Sequence, residues 1–511
     1  MRSDSFPLLL TFGLVACTSS GGARVGSERP PNVVYILADD LGYGDLRCYQ
    51  PDSKIPTPHL DRLASEGARF TDAHSPSAVC TPTRYGILTG RYCWRTTLKK
   101  SVLWSWDPPL IEPDRLTVPA FLREYGYQTA CIGKWHLGWD WPILEGGLAV
   151  HGGPGTNADL LIDFRQPITG GPLATGFDHY FGDDVTNFPP YCFIEDEQTV
   201  GIPTVLKPST MFGAPGPMLP GWKLEGVMPE LASRAVRYIE ERAHAVADEP
   251  FFLYLPLTAP HTPIAPAASF SGASEAGPYG DYVAQVDDLV GQVLKALARA
   301  GLEDDTLVIF TSDNGSPASN GDGMSGTPGS VLRDHGHNPN APWRGMKADI
   351  FEGGHRVPFL VRWPGHVRPA SVKDEVICHT DLFATLADIL GAELPPDAAE
   401  DSFSLLSVLE GRDREHPIRE ATVHHSITGM FGIRQGDWKL ILGLGSGGWT
   451  KPARVTPQPG EPQGQLYDLA SDPGESRNLY SEHPEVVLRL TRLLERYHSS
   501  GRSTPGGSGN D

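Results

Sequence analysis

Two pairs of hard oxygen donors stand out first. Asp39–Asp40 follows the apolar run "NVVYILA" (32–38), and Asp313–Asn314 follows "TLVIFTS" (306–312). Carboxylate and amide oxygens, with no paired histidine or cysteine beside them, suit calcium or magnesium and disfavour zinc. Two further runs end in groups that can hold an anion or move a proton. "QTACI" (128–132) leads into Lys134 and His136 of "GKWHLG", and "FFLYLPL" (251–257) leads into His261 of "APHTP". In "AVCTPTRYGILTG" (78–90), Pro82 suits the first turn of a helix. Cys80 then lies just before a helix N-terminus, where backbone N–H groups favour anions and a thiol can become a reactive thiolate. Arg84, one turn on, can aim a guanidinium at the same anion.

Singly, each feature has an ordinary explanation. An acidic pair after a strand is commonly a turn or helix cap, and a lone histidine beside an apolar run is commonly a hydrogen-bonded structural residue. Their shared position is what joins them, because ligands of open α/β sheets bind outside the carboxyl ends of the strands. The four runs therefore predict buried strands, and the amphipathic stretches between them predict helices: 59–70, 229–243 and 282–301, the last stopping at Gly301. Strand–helix alternation implies an α/β fold with a mostly parallel sheet between helices. After the helix "DLFATLADILG" (381–391) the pattern changes to a hairpin about Gln435–Gly436 and a last helix at 484–497, a small C-terminal α+β domain. The Gly- and Pro-rich stretch from about 140 to 225 reads as insert loops over the active face.

The chain has 511 residues and a net charge of −20, which argues against a nucleic-acid partner. The same charge does not exclude an anionic substrate, because a site can be locally positive. "FPLLLTFGLVA" with Arg2 before it reads as an export signal, and "LVAC" is similar to a bacterial lipoprotein signal in which Cys17 is lipidated. That gives a signal segment 1–17, a flexible tether 18–31, a catalytic domain 32–395, a C-terminal subdomain 396–498 and a disordered tail 499–511. It also places the protein in the periplasm or at the cell surface, with the membrane met only through a lipid anchor; a secreted protein is the alternative. Of seven cysteines none forms a CxxC pair, and one disulfide is compatible with the remainder.

Cys80–Thr81–Pro82–Thr83–Arg84 resembles the C-x-P-x-R signature of the formylglycine-dependent (type I) sulfatases, and "LTGR" (88–91) extends the match. The resemblance runs from "DDLGYGD" (39–45) to "LYDLASDPGESRNL" (466–479) and is strongest toward the arylsulfatase A-like branch. Thr83 departs from the commoner Ser or Ala but keeps a hydroxyl. The resemblance implies an alkaline-phosphatase-like fold, one calcium rather than magnesium, and hydrolysis of sulfate esters of carbohydrates or aryl alcohols. It further implies that a formylglycine-generating enzyme oxidises Cys80 to formylglycine (3-oxoalanine). Asp39, Asp40, Asp313, Asn314 and the modified Cys80 would hold the metal, and Arg84 would fix the aldehyde hydrate. Lys134 and Lys347 (in "RGMKADIFEGGHR") would grip sulfate, His136 would accept a proton, His261 would return one to the leaving alcohol, and Thr186 would touch substrate. The hydrate's second hydroxyl explains the modification, since its deprotonation expels sulfate after the first hydroxyl has attacked sulfur.

Without the resemblance, Lys347 and Arg356 would be surface or ion-pair residues. Glu352–Gly354 is expected only to turn the chain. His335 and His337 of "DHGHNP" and His424–His425 are expected in loops, and Trp139, Trp141 and Trp222 suit either sugar stacking or packing. Two other functions compete. A phosphoesterase on the same scaffold would carry Ser or Thr and two zinc ions, and a glycan-binding protein would leave Cys80 unmodified.

Overall fold

The structure, a computed structural model, describes Met1 and residues 29–144, 162–244 and 249–505. The signal segment through Cys17 and most of the tether therefore lie outside the described residues, as do 506–511. A ten-stranded sheet forms the centre. Its strands in chain order are β1 (Asn32–Asp39), β2 (Ala68–Phe70), β3 (Gln128–Ile132), β4 (His179–Gly182), β5 (Ile194–Glu195), β6 (Gln198–Thr199), β7 (Phe251–Pro260), β8 (Thr306–Ser312), β9 (Phe359–Arg362) and β10 (Ser371–Lys373). They lie in the order β10-β2-β9-β8-β1-β7-β3-β4-β5-β6. The five from β8 to β4 are mutually parallel, and antiparallel strands flank them.

Every residue of β1 is buried, as a strand covered on both faces requires. Val33, Tyr35 and Leu37 enter a core with Tyr85, Ile87 and Leu88 of the helix Cys80–Thr89. Val34, Ile36 and Ala38 face the opposite core, built on the helices Pro58–Glu66, Val227–Ala243 and Gly277–Arg299. The helix expected over 59–70 stops at Glu66 because Gly67 presses against β9; a Cβ there would meet Val361 O at 2.1 Å. Residues Ala399, Leu405, Leu406 and Leu409 still pack on the first core.

The C-terminal sheet is antiparallel, in the order β11 (Thr422–His425), β12 (Phe431–Gln435), β13 (Trp438–Ile441), β14 (Gln465–Asp468). Val423, Ile433, Leu440 and Leu466 pack beneath Leu490, Leu493 and Tyr497 of the helix Pro484–Ser499 and against Tyr92 and Trp94 of the large domain. Beyond that helix, where the sequence suggests a tail, Ser503 N donates to Asp401 Oδ1 at 3.0 Å.

Several residues expected in loops or turns are instead interior. His424 and His425 are buried in β11, because that strand runs against the large domain, with Ala78 N donating to His425 O. His337 is buried 2.8 Å from Asp45. Glu352 is fully buried, bonded to Lys439 (2.9 Å) and Arg356 (3.2 Å), and Lys439 also reaches Glu475 at 2.8 Å. Around it His74 Nδ1 lies 3.0 Å from His355 Nδ1, and the His355 and His424 rings stack at 3.9 Å. Trp139 and Trp141 pack in the core, and Trp222 packs against the second core. Among the described residues the six cysteines are free, so no disulfide forms there.

Candidate active site

The sheet register assembles the site floor. β1 and β8 run side by side with Ala38 opposite Ser312, which sets Asp39–Asp40 beside Asp313–Asn314. Asp40 has a left-handed backbone (φ 67°) and its N–H donates to Asp313 Oδ1 at 3.1 Å. β3 delivers Lys134 through Gly133 (φ 135°), where a Cβ would lie 1.8 Å from Pro256 O; only glycine lets the chain pass β7 so closely. Lys134 Nζ then reaches Asp39 Oδ2 at 2.7 Å. Arg84 rises from the first turns of its helix, donating to Asp313 Oδ2 (2.9 Å) and Lys134 O (3.1 Å) and lying 3.6 Å from Asp39 Oδ1. Lys347 Nζ meets Asp40 Oδ1 at 2.6 Å.

The donor set fits a hard divalent cation. Asp39 and Asp40 have ligand atoms within 4.8 Å of those of Cys80 and His261, so a sulfur and an imidazole nitrogen lie beside the oxygens, and the hard character rests on the oxygens of Asp39, Asp40, Asp313 and Asn314. Asn314 spends its Nδ2 on Asp40 Oδ1 (2.7 Å) and Gly315 O (3.1 Å), leaving its buried Oδ1, like that of Asp39, without a hydrogen bond. Buried oxygens left without donors are what a cation satisfies. Burial works against the Asp39 charge, yet Lys134, His261, Arg84 and Lys347 hold it well below the usual carboxylate range. Burial and the neighbouring Asp39 push Asp313 up to about 7.

The two histidines have defined tautomers, because a carbonyl only accepts. His136 Nε2 lies 3.0 Å from Leu103 O and therefore carries the proton, which leaves Nδ1 bare; Nδ1 is buried without a partner. His136 itself has φ 55°, and Asp184 Oδ1 accepts its N–H (3.2 Å) together with the Trp139 indole N–H (3.2 Å). His261 donates from Nδ1 to Thr262 O, so Nε2 faces Asp40 Oδ2 at 3.7 Å. Burial, then Lys347, lowers His261 to about 4, and burial then Lys134 holds His136 well below 6.5.

Cys80 is 3% exposed. Burial raises its thiol pKa despite Lys347 and Lys134, so the bare cysteine is a neutral thiol and the thiolate expected at this helix end is not formed.

Above the floor lies a cavity of about 730 Å³ bordered by Asp40, Cys80, His136, His261 and Lys347. Thr186 does not line it. Thr186 is buried, while Val185, Asn187 and Phe188 of the same segment form that wall. The aromatic walls are Trp104, 5.3 Å from Phe188, which is edge-on to His136, and Trp449, whose ring lies 6.0 Å from Lys347 Nζ. Lys207 and the turn 211–214 complete it. None of Trp104, Phe188, Trp449 or Lys207 was marked by a motif; each sits in an irregular loop whose position depends on tertiary packing.

A mostly parallel sheet between helices, with buried carboxylates, their paired cations and two oriented imidazoles gathered at its carboxyl edge, has the architecture of the alkaline-phosphatase-like hydrolases. Comparisons narrow the class. Residues 31–392 match the Sulfatase family, and residues 346–500 match N-sulphoglucosamine sulphohydrolase, C-terminal. The chain is 35% identical to the N-acetylgalactosamine-6-O-sulfatase of Bacteroides thetaiotaomicron over 510 residues, covering 92% of this chain and 93% of that protein. It is 33% identical to human arylsulfatase A over 496 residues, covering 92% and 88%. A solved structure from work on glycosaminoglycan metabolism by Bacteroides thetaiotaomicron superimposes with a TM-score of 0.78 at 32% identity, covering 92% of this chain and 100% of that one. The chain belongs to the sulfatase family and is a sulfuric ester hydrolase.

Proposed function

We propose that this sulfatase releases sulfate from sulfated carbohydrates, and also from aryl sulfates, with residue 80 converted to formylglycine and one calcium held by Asp39, Asp40, Asp313 and Asn314. The observation that carries the reading is the position of Cys80. It sits at a helix start, lines the cavity together with Asp40 and Lys347, and interacts electrostatically with Lys347, Lys134, Asp313 and Asp39. Its Sγ marks the Cβ substituent that the modification would replace with oxygen.

The ion and the hydrate, when present, supply charge neutralisation on sulfate and a nucleophilic hydroxyl. The chain's own groups do the rest. Lys134 and Lys347 present ammonium groups to the non-bridging oxygens, and their carboxylate partners Asp39 and Asp40 keep them oriented. Arg84 ties two strand ends together so that the ligands keep their spacing. His136 accepts a proton at Nδ1, its Nε2 being committed to Leu103 O. His261 delivers a proton from Nε2 to the bridging oxygen, and the substrate's negative charge favours its protonated form. The carbohydrate preference rests on the sulfated amino sugar named for the bacterial relative and on the roomy, aromatic-walled cavity, which offers flat faces to a pyranose.

Mass spectrometry of the Cys80 peptide, after expression with a formylglycine-generating enzyme, tests the reading together with sulfate release from 4-nitrophenyl sulfate. An aldehyde mass with chelator-sensitive turnover restored by calcium is the expected result. An unmodified thiol, beside a control sulfatase that matures in the same cells, overturns it.

A further inference from the structure

One charged side chain of the cavity has no task in sulfate ester hydrolysis as derived above. Lys207 follows the short strand Val205–Leu206, and its backbone N–H donates to Gly216 O at 2.9 Å, fixing it in the hairpin above the floor. Its half-buried side chain lines the same cavity as Cys80, His136, His261 and Lys347. Lys134 and Lys347 are tied to carboxylates at 2.7 and 2.6 Å. Lys207 forms no ion pair among the described residues. Its ammonium donates instead to two neutral carbonyls, Pro208 O at 3.1 Å and Met211 O.

That arrangement is unusual in a chain of net charge −20. Two carbonyls hold the ammonium in place, one of its three N–H groups is left over, and no carboxylate among the described residues cancels its charge. The adjoining wall is Met211, Phe212, Phe188 and Trp104, and among the described residues the only acidic one on the lining is Asp40 at the floor. On this side the described lining offers a second anion only neutral groups besides Lys207, with Asn187 and Ser209 among the apolar residues, and an anion buried without a compensating charge is strongly disfavoured.

We propose, resting on the sulfatase reading, that Lys207 is a specificity-determining residue that binds a second negative charge on the substrate. The favoured substrate class is then a sulfate ester whose ring lies along the Trp104–Phe188 wall and carries, besides the reacting sulfate, a carboxylate or another sulfate group. The shared chemistry is an anion on the leaving-group ring, and a choice of test substrates separates its two sources.

The test uses matured full-length enzyme and Lys207→Gln, both checked for equal Tm. kcat/KM is measured for 4-nitrophenyl sulfate, a monosulfated neutral sugar, a monosulfated uronate-containing disaccharide and a disulfated monosaccharide. The expected result is that the preference for at least one dianionic sugar over the neutral one falls about tenfold, through KM, with Lys207→Arg restoring most of it. The sugar that responds identifies carboxylate or sulfate as the partner. A preference unchanged within about twofold for both dianionic sugars, or an equal loss on every substrate, overturns the proposal while leaving the sulfatase reading intact. Failure of the wild-type enzyme to release sulfate from any substrate is the separate result that overturns both.

Discussion

Arg84 shows how much one side chain carries. Its Nη2 donates to Asp313 and its Nη1 to the Lys134 carbonyl, so one planar group joins the ends of β8 and β3. A lysine is a single point charge and cannot hold both. Arg84→Lys is expected to cut sulfate release about 100-fold and to weaken binding of the proposed calcium, measured by sulfate assay and calcium titration on the same preparation. A different kind of residue-level effect belongs to His424, whose Nδ1–H donates to Ser75 O at 3.0 Å. Burial, then His74, holds its pKa well below 6.5 in the folded state. The unfolded chain therefore takes up this proton first as pH falls. The stability tied to neutral His424 is complete above pH 6.5 and is lost on acidification toward its folded value. Asn can keep the donor without titrating, so His424→Asn should gain on the wild type by about 1 kcal/mol per pH unit between pH 6.5 and 5, read as converging Tm profiles. Sequence made the floor residues legible because strand ends and the C-x-P-x-R spacing are local patterns. It could not mark His424, since a buried polar pair inside β11 looks like any solvated histidines until its covering partner is known.

Elements fix the geometry that residues then use. β3 turns toward the site at Gly133, which combines a positive φ with a backbone approach that excludes any side chain. Gly133→Ala should destabilise the fold by about 3 kcal/mol or more and displace Lys134, lowering kcat/KM beyond what the reduced Tm explains. Of the central strands, β3 and β8 were readable to the residue, because burial on both faces leaves short runs of apolar and small polar residues without a charge. The helix ending at Glu66 was not: apolar residues continue to Phe70, and what stops it is β9, far away in sequence. The cavity walls were the least readable, because Phe188, Lys207 and Trp449 lie outside every periodic segment.

At the scale of the molecule, a buried charge network fastens the C-terminal sheet to the catalytic domain. Lys439 in β13 compensates both Glu352 and Glu475 with no solvent contact. Removing one partner of such a set costs far more than the pair is worth, because the others stay buried. Lys439→Met is expected to lower Tm by about 5 °C, and adding Glu475→Gln should recover part of the loss, both read by thermal unfolding. The sequence divided the chain into a large α/β part and a small α+β part from pattern alone, but the fastening uses residues that look like surface charges when taken singly. The cavity border, running from Asp40 to Trp449, also has a consequence in time. While the chain is still being made, the ribosome has released Cys80 long before the segment bearing Trp449 exists, so the thiol meets its surroundings as part of an open polypeptide. Once the last strands dock, only 3% of the residue can be touched. The proposed conversion of residue 80, if it needs an enzyme to grip the surrounding peptide, has only this early interval in which to occur.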